Sequence, residues 1–188
     1  MELLDAHGAA LADFDRLVRA VPGDRWDAPT PCDEWSVRDL VGHLVGEQLW
    51  VPSLLAGRTI AEVGDRFDGD QLGDDPAAAW RSAADAARRA WLEPGVVART
   101  VHLSYGTDSA TNYGWQMTLD LAVHGWDLAT GIGVGHRIPD ELAGDLLRVF
   151  GDVIPRWQGL GLFAEPVAVP ADASPHARLL GLLGRRPD

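Results

Sequence analysis

Asp120 and His124 stand four residues apart in the segment LDLAVHGWDL, and His43 lies among apolar residues in DLVGHLVGEQ. On a helix a four-residue step puts two side chains on one face, about 6 Å apart along the axis. A carboxylate and an imidazole placed this way can share one divalent ion. His43, on another helix, would complete a mixed nitrogen and oxygen donor set that suits zinc, nickel or iron and leaves positions open for water or substrate. Spacing alone fits a blander reading as well, a core histidine satisfied by a hydrogen bond, because DxxxH is a common accident on helices.

Two carboxylates flank these residues. Glu47 follows His43 by one turn on the same face, where it can act as a general base or remain a helix-surface carboxylate. Asp127 follows His124 by three and can accept the second ring N–H of a ligand histidine, or make a plain hydrogen bond near a helix end. Both are candidate catalytic residues. The single cysteine, Cys32, lies just before a helix start, and its expected role is structural. His102 is expected at the surface, and His7, His136 and His176, which lack ligand spacing, are expected to be solvated. Trp35, Trp115 and Trp126 read as core fillers.

The elements that must position these groups are helices. Leu3, Leu4, Ala10, Leu11, Phe14, Leu17 and Val18 recur at three- and four-residue steps and predict a first helix that stops near Pro22-Gly23. Ser36 supplies an N-cap for a second, through Val37, Leu40, Val41, Leu44 and Val45 to about Leu55 or Gly57. Residues 57–75 are Gly- and Asp-rich and read as a long surface loop. Asp75-Pro76 opens a third helix that ends at Glu93-Pro94-Gly95. Val96 to Tyr105 alternates loosely, but a single short strand has no evident partner, so a connector is expected. Ser109 or Thr111 caps a fourth long helix that ends in the glycine-rich segment after Gly131, and Pro139 opens a fifth. An irregular tail from about residue 155 carries a short closing helix, His176 to Leu183. The expected architecture is an all-α four-helix bundle with additional short helices and a long loop, organised as one domain over 1–188.

Composition narrows the function classes. All sixteen basic residues are Arg, and the formal net charge is -12, so nucleic acid and anionic membrane surfaces are poor partners. Small molecules are better ones. One cysteine permits no internal disulfide, the N-terminus is acidic where a signal peptide is basic, and no apolar run approaches the roughly 20 residues of a spanning helix. A cytoplasmic protein is expected. The Lys-free, Ala/Gly/Arg/Asp-rich usage is the kind that a high-GC bacterial genome writes.

The pattern PTPCDEWSVRDLVGHLVGE, followed later by DLAVHGWDLATGIG, resembles the DinB-like superfamily. It is most similar to the actinobacterial metal-binding branch related to the N-terminal domain of mycothiol-dependent maleylpyruvate isomerase. The resemblance spans nearly the whole chain, including the ending FAEPVAVPADASPHARLLGLLGR. It implies a four-helix bundle whose metal, zinc before nickel or iron, is held by His43, Asp120 and His124, with Asp120 a shorter ligand than the usual Glu. It further implies a small thiol partner such as mycothiol, and transferase or isomerase chemistry on a small electrophile. Homodimers are common in such bundles. The isomerase carries a second domain that contributes to its active site, so maleylpyruvate isomerisation itself is not expected of this chain. A metal-stabilised ligand-binding bundle and a metal-dependent hydrolase are the alternatives.

Overall fold

The structure, a computed structural model, describes residues 1–32, 35–157 and 164–187. It contains two compact units, Glu2–Val134 and a second made of Gly135–Asp188 with Met1.

The first unit is built on four long helices, α1 (Leu3–Arg19), α2 (Val37–Leu55), α4 (Pro76–Trp91) and α5 (Ala110–Ile132), with a one-turn α3 (Ile60–Val63) between the second and the fourth. Each long helix starts or stops for a local reason. The Ser36 hydroxyl accepts from the Asp39 N–H while Asp39 reaches back to the Ser36 N–H, a reciprocal cap that fixes where α2 begins. Asp75 caps α4 with Pro76 at its first position, Ser109 caps α5, and Gly133 ends α5 in the left-handed region at φ 76°.

Packing follows from the apolar stripes. α1 lies chiefly on α5 and α2 on α4, and the α2–α5 and α1–α4 contacts close the ring. Phe14 meets Trp80 with ring centroids 4.6 Å apart and His7 meets Trp91 at 5.4 Å, which makes α1 and α4 antiparallel. Phe14, Leu17, Leu40, Leu44, Trp80, Trp91, Leu121 and Leu128 are fully buried. Side chains of this size each contribute about 1.5–3 kcal/mol on burial, and their sum holds the bundle against chain entropy.

Two stretches depart from the sequence expectation. Residues after Val96 do form a strand, β1 (Thr100–Leu103), because its partner comes directly after a tight turn: β2 (Gly106–Ser109) pairs antiparallel with it, Val101 opposite Asp108. Alternation in β1 was legible, but β2 reads GTDS and carries no apolar signal. The 57–75 segment contains α3, with its own Thr59–Glu62 capping box, and is anchored where Arg38 bonds Asp70 and the Gly73 carbonyl and Leu72 packs over Gly42.

The second unit contains α6 (Asp140–Phe150), α7 (Ile154–Trp157) and α8 (Pro175–Leu182), with α6 packed against α8. The Met1 amino group bonds Asp145 on α6. The predicted irregular stretch after Pro155 lies partly outside the described residues. No helix among the described residues is long and apolar enough to cross a membrane.

His7 and His176 are not solvated. His176 is 6% exposed and its Nδ1 accepts from the Ile138 N–H at 3.2 Å. His7 is fully buried on α1, in register with Leu3, Ala10, Leu11 and Phe14, so the helical stripe itself marked it as interior. Burial, reinforced by the nearby Arg88 charge, pushes its pKa down to about 3. A histidine held neutral in the fold but free to protonate near pH 6.5 when unfolded contributes stability that is fully present above 6.5. That contribution is lost as pH falls toward 3, at about 1.4 kcal/mol per pH unit. Denaturant midpoints measured between pH 7.5 and 4.5 should therefore fall more steeply for the wild type than for His7→Leu; equal slopes would contradict the burial of a neutral imidazole.

Candidate metal centre

The centre is assembled by α2, α5 and the turn that precedes α2. That turn is tightly drawn. The Thr30 N–H and hydroxyl both bond the Trp35 carbonyl, Pro29 and Ser36 form a bridge, and the Val37 and Arg38 N–H groups bond back to Ala28 and Trp26. Its close approach to α5 depends on Gly131, where a Cβ would stand 3.1 Å from Thr30 Cγ2, 3.1 Å from Val37 Cγ2 and 3.2 Å from the Pro29 carbonyl. The missing side chain on α5 lets Cys32 and Trp35 reach the face that carries Asp120, His124 and Asp127. Asp33 and Glu34, within the same sequence motif, lie outside the described residues.

His43, Asp120 and His124 come together. His43 Nε2 is 3.1 Å from Asp120 Oδ2 and His124 Nε2 is 3.3 Å from Asp120 Oδ1, and one ligand atom from each residue lies within 4.8 Å of the others. Their side chains are 30%, 30% and 12% exposed, a graded burial that leaves one side open. Behind them, His124 Nδ1 is 3.0 Å from Asp127 Oδ2, and Asp127 is fully buried. With Nδ1–H donating to Asp127, His124 turns Nε2 toward Asp120, where its N–H donates to the carboxylate; on losing that proton Nε2 would become the metal-binding nitrogen.

The donor set fits a divalent ion. Two ligand atoms each about 2.0–2.1 Å from a tetrahedral zinc sit about 3.4 Å from one another. The 3.1 and 3.3 Å separations, one to each oxygen of Asp120, come close to that spacing, and two imidazole nitrogens with a carboxylate are donors that zinc, nickel and iron accept. Three protein donors would leave at least one coordination position for water or substrate.

Charge is distributed to match. Burial by itself would raise Asp120, but the charge of His124 and hydrogen bonds from His124 and His43 outweigh it and hold the carboxyl well below its usual range. Burial would lower His124, but Asp120 and hydrogen bonding to Asp120, Asp127 and Cys32 drive it well above its ordinary value. Glu47 is half-buried one turn past His43; burial first, and then the Asp120 charge, raise its pKa.

Two residues that the sequence assigned to structure adjoin the centre. Trp35 is not a core filler: it is half-buried, and its ring lies 4.9 Å from that of His43 and 5.7 Å from that of His124, centroid to centroid. Trp115 and Trp126 are buried as expected. Cys32 Sγ donates to Asp127 Oδ2 at 3.2 Å and lies 3.6 Å from His124 Nδ1, so Cys32, His124 and Asp127 form a second cluster of possible ligands sharing one imidazole. Only the fold back of the 29–36 turn onto α5 brings this cysteine near residues more than ninety positions away. His102 lies apart on β1, half-buried, with Nδ1 3.3 Å from the Thr107 hydroxyl.

The model of the family described as mycothiol maleylpyruvate isomerase N-terminal domain matches residues 7–129, a span that contains Cys32, His43, Asp120, His124 and Asp127. Uncharacterised proteins from two strains of Mycobacterium tuberculosis are 32% identical over 187 residues, covering 98% of this chain and 98% of theirs. Crystal structures of the mycothiol-dependent maleylpyruvate isomerase and of a mutant of it superpose with TM-scores of 0.66 and 0.68, at 17% and 16% identity. Each covers 88% of this chain and 72% of the isomerase chain, and the likeness establishes the fold.

Metal analysis of the protein as purified should find one divalent ion per chain, lost in both His43→Ala and Asp120→Ala; stoichiometric metal in either variant would refute this ligand set. Asp127→Asn, which weakens the support of His124 but removes no ligand, should retain the site and lower metal affinity by about 10–100-fold, read by competition with a chelator.

Proposed function

Since this chain belongs to the mycothiol maleylpyruvate isomerase N-terminal domain family, we propose that it binds one divalent metal ion, zinc first among candidates, through His43, Asp120 and His124. We propose that it uses this centre with a low-molecular-weight thiol of the mycothiol kind to act on a small electrophilic molecule, as an S-transferase or isomerase. The observation that carries this reading is the convergence of two imidazole Nε2 atoms on one carboxylate, with an open side.

A bound divalent ion would supply Lewis acidity, lowering the pKa of a thiol at neutral pH. The residues of this chain do the rest. Asp127 fixes the His124 ring and its tautomer, and Cys32 holds Asp127 from the other side. Glu47, kept basic by burial and by Asp120, takes the proton that the thiol gives up, and the sulfur then bonds to the electrophilic carbon as that carbon's π bond opens or its leaving group departs with the electron pair. Trp35 covers the apolar flank of both imidazoles and reduces the access of water to them. The net negative charge and the lack of a membrane-spanning helix among the described residues favour a small-molecule substrate and a cytoplasmic setting. The site lies wholly within the first unit, and the chain is read as one functional domain.

Thermal-shift screening with mycothiol, glutathione and ergothioneine, each with and without zinc, tests the thiol. A metal-dependent rise in Tm with one of them is expected, and no shift with any of the three would rule the thiol role out and favour hydrolysis or ligand binding. Glu47→Gln should keep both the metal and the thiol-dependent shift while slowing thiol transfer to an electrophile by about 10²–10⁴-fold. Transfer at the wild-type rate would remove Glu47 from the mechanism.

A further inference from the structure

The interior of the first unit contains polar atoms that the packing leaves without a hydrogen-bond partner among the described residues. Besides the Trp80 indole, they are His7 Nε2 on α1, both amide atoms of Gln48 on α2, Trp91 Nε1 on α4 and the Tyr113 hydroxyl on α5. Each of the four long helices thus contributes at least one. His7 and Gln48 are fully buried, Trp91 is fully buried and Tyr113 is 4% exposed. Three of these side chains form one run of tilted ring contacts, with ring centroids 5.4 Å apart from His7 to Trp91 and 5.6 Å from Trp91 to Tyr113.

Their chemistry is unbalanced in a definite direction. Arg88 Nη1 donates to the Leu4 carbonyl at 2.9 Å and faces His7 Nδ1 at 3.4 Å, so Nδ1 is the acceptor and the single proton of the neutral ring sits on Nε2. Trp91 Nε1 is always a donor. Two N–H groups that must donate therefore share the interior with one hydroxyl, and nothing among their described neighbours accepts from them. A buried donor left unpaired carries the full penalty of its lost hydration, and native interiors relieve that penalty with ordered water wherever two to four polar partners converge. A water accepts twice and donates twice, which is the complement this run of rings lacks. An anion would also accept, but the Tyr113 hydroxyl, raised first by burial, is raised further by the carboxylates of Glu47 and Asp120, and that field opposes one.

We propose that the space bounded by His7, Trp91 and Tyr113 is a built hydration site, holding ordered water that accepts from the two ring N–H groups and donates to the Tyr113 oxygen. Gln48 brings a further donor and acceptor to the interior from α2, the helix that also carries His43 and Glu47. The site does not depend on a metal being bound.

A high-resolution crystal structure of the full chain tests it directly. Density for a water within hydrogen-bond distance of at least two of His7 Nε2, Trp91 Nε1 and Tyr113 Oη is expected. Empty density there, direct pairing of these groups with one another, or a halide revealed by anomalous scattering after bromide soaking would each overturn the proposal. Tyr113→Phe, which keeps the ring packing, separates the cases in solution. Loss of a water-mediated bond lowers Tm, by about 2–4 °C for a chain of this size, whereas deleting a dry and unpaired hydroxyl leaves Tm unchanged or raises it and refutes the site.

Discussion

A half-buried carboxylate between two helices must be compensated, and Asp120 is compensated from both helices at once. Removing its charge from water costs several kcal/mol unless cationic or hydrogen-bonding groups replace the solvent. His124, one turn away on α5, and His43, across the interface on α2, supply those groups. The α2–α5 contact is thereby more than apolar packing: it is set where two imidazoles can reach one carboxylate. A divalent ion placed among the same three donors would take over that compensation, which is why an arrangement balanced by hydrogen bonds is also a ligand set.

The second layer extends the same logic. The protonated Nδ1 of His124 needs an acceptor, and Asp127 provides one; Asp127 is fully buried and needs more than one donor, and the Cys32 thiol is among them. This chain of dependence runs from the bundle face out to the turn before α2, and it is feasible because Gly131 lets Pro29, Thr30 and Val37 lie against α5 without a Cβ between them. The turn thus acts as a strap that carries Cys32 and Trp35 to the centre, while the capping box at Ser36 and Asp39 fixes its far end.

Elsewhere the interior admits further polar groups. His7, Gln48, Trp91 and Tyr113 put polar atoms into a core otherwise made of Leu, Val, Ala and Phe. Their positions on four different helices bring hydrogen-bonding groups into the interior of the bundle from every side. Buried polar side chains add stability only when their hydrogen bonds are made, so these positions are the most sensitive part of the interior.

The sequence by itself determined the helices and which faces they bury, because a 3.6-residue period and capping residues act locally: Ser36, Asp75-Pro76 and Ser109 begin helices where they were expected to. It also placed Asp120, His124 and Asp127 on one face, since steps of three and four are geometry within a single helix. The apolar surroundings of His43 on the second helix pointed it inward, and the family motifs joined it to them. What spacing could not decide was anything that depends on two segments meeting. The hairpin was hidden because β2 contains no apolar residue, Trp35 was mistaken for core, and Cys32 gave no sign of lying beside Asp127. His7 is an intermediate case: its register on α1 marked it as interior, but a titratable side chain suggested solvent. Local rules fix elements because their energies come from neighbours in the chain, whereas a site shared by two helices and a turn is decided by packing, and only the tertiary structure contains that information.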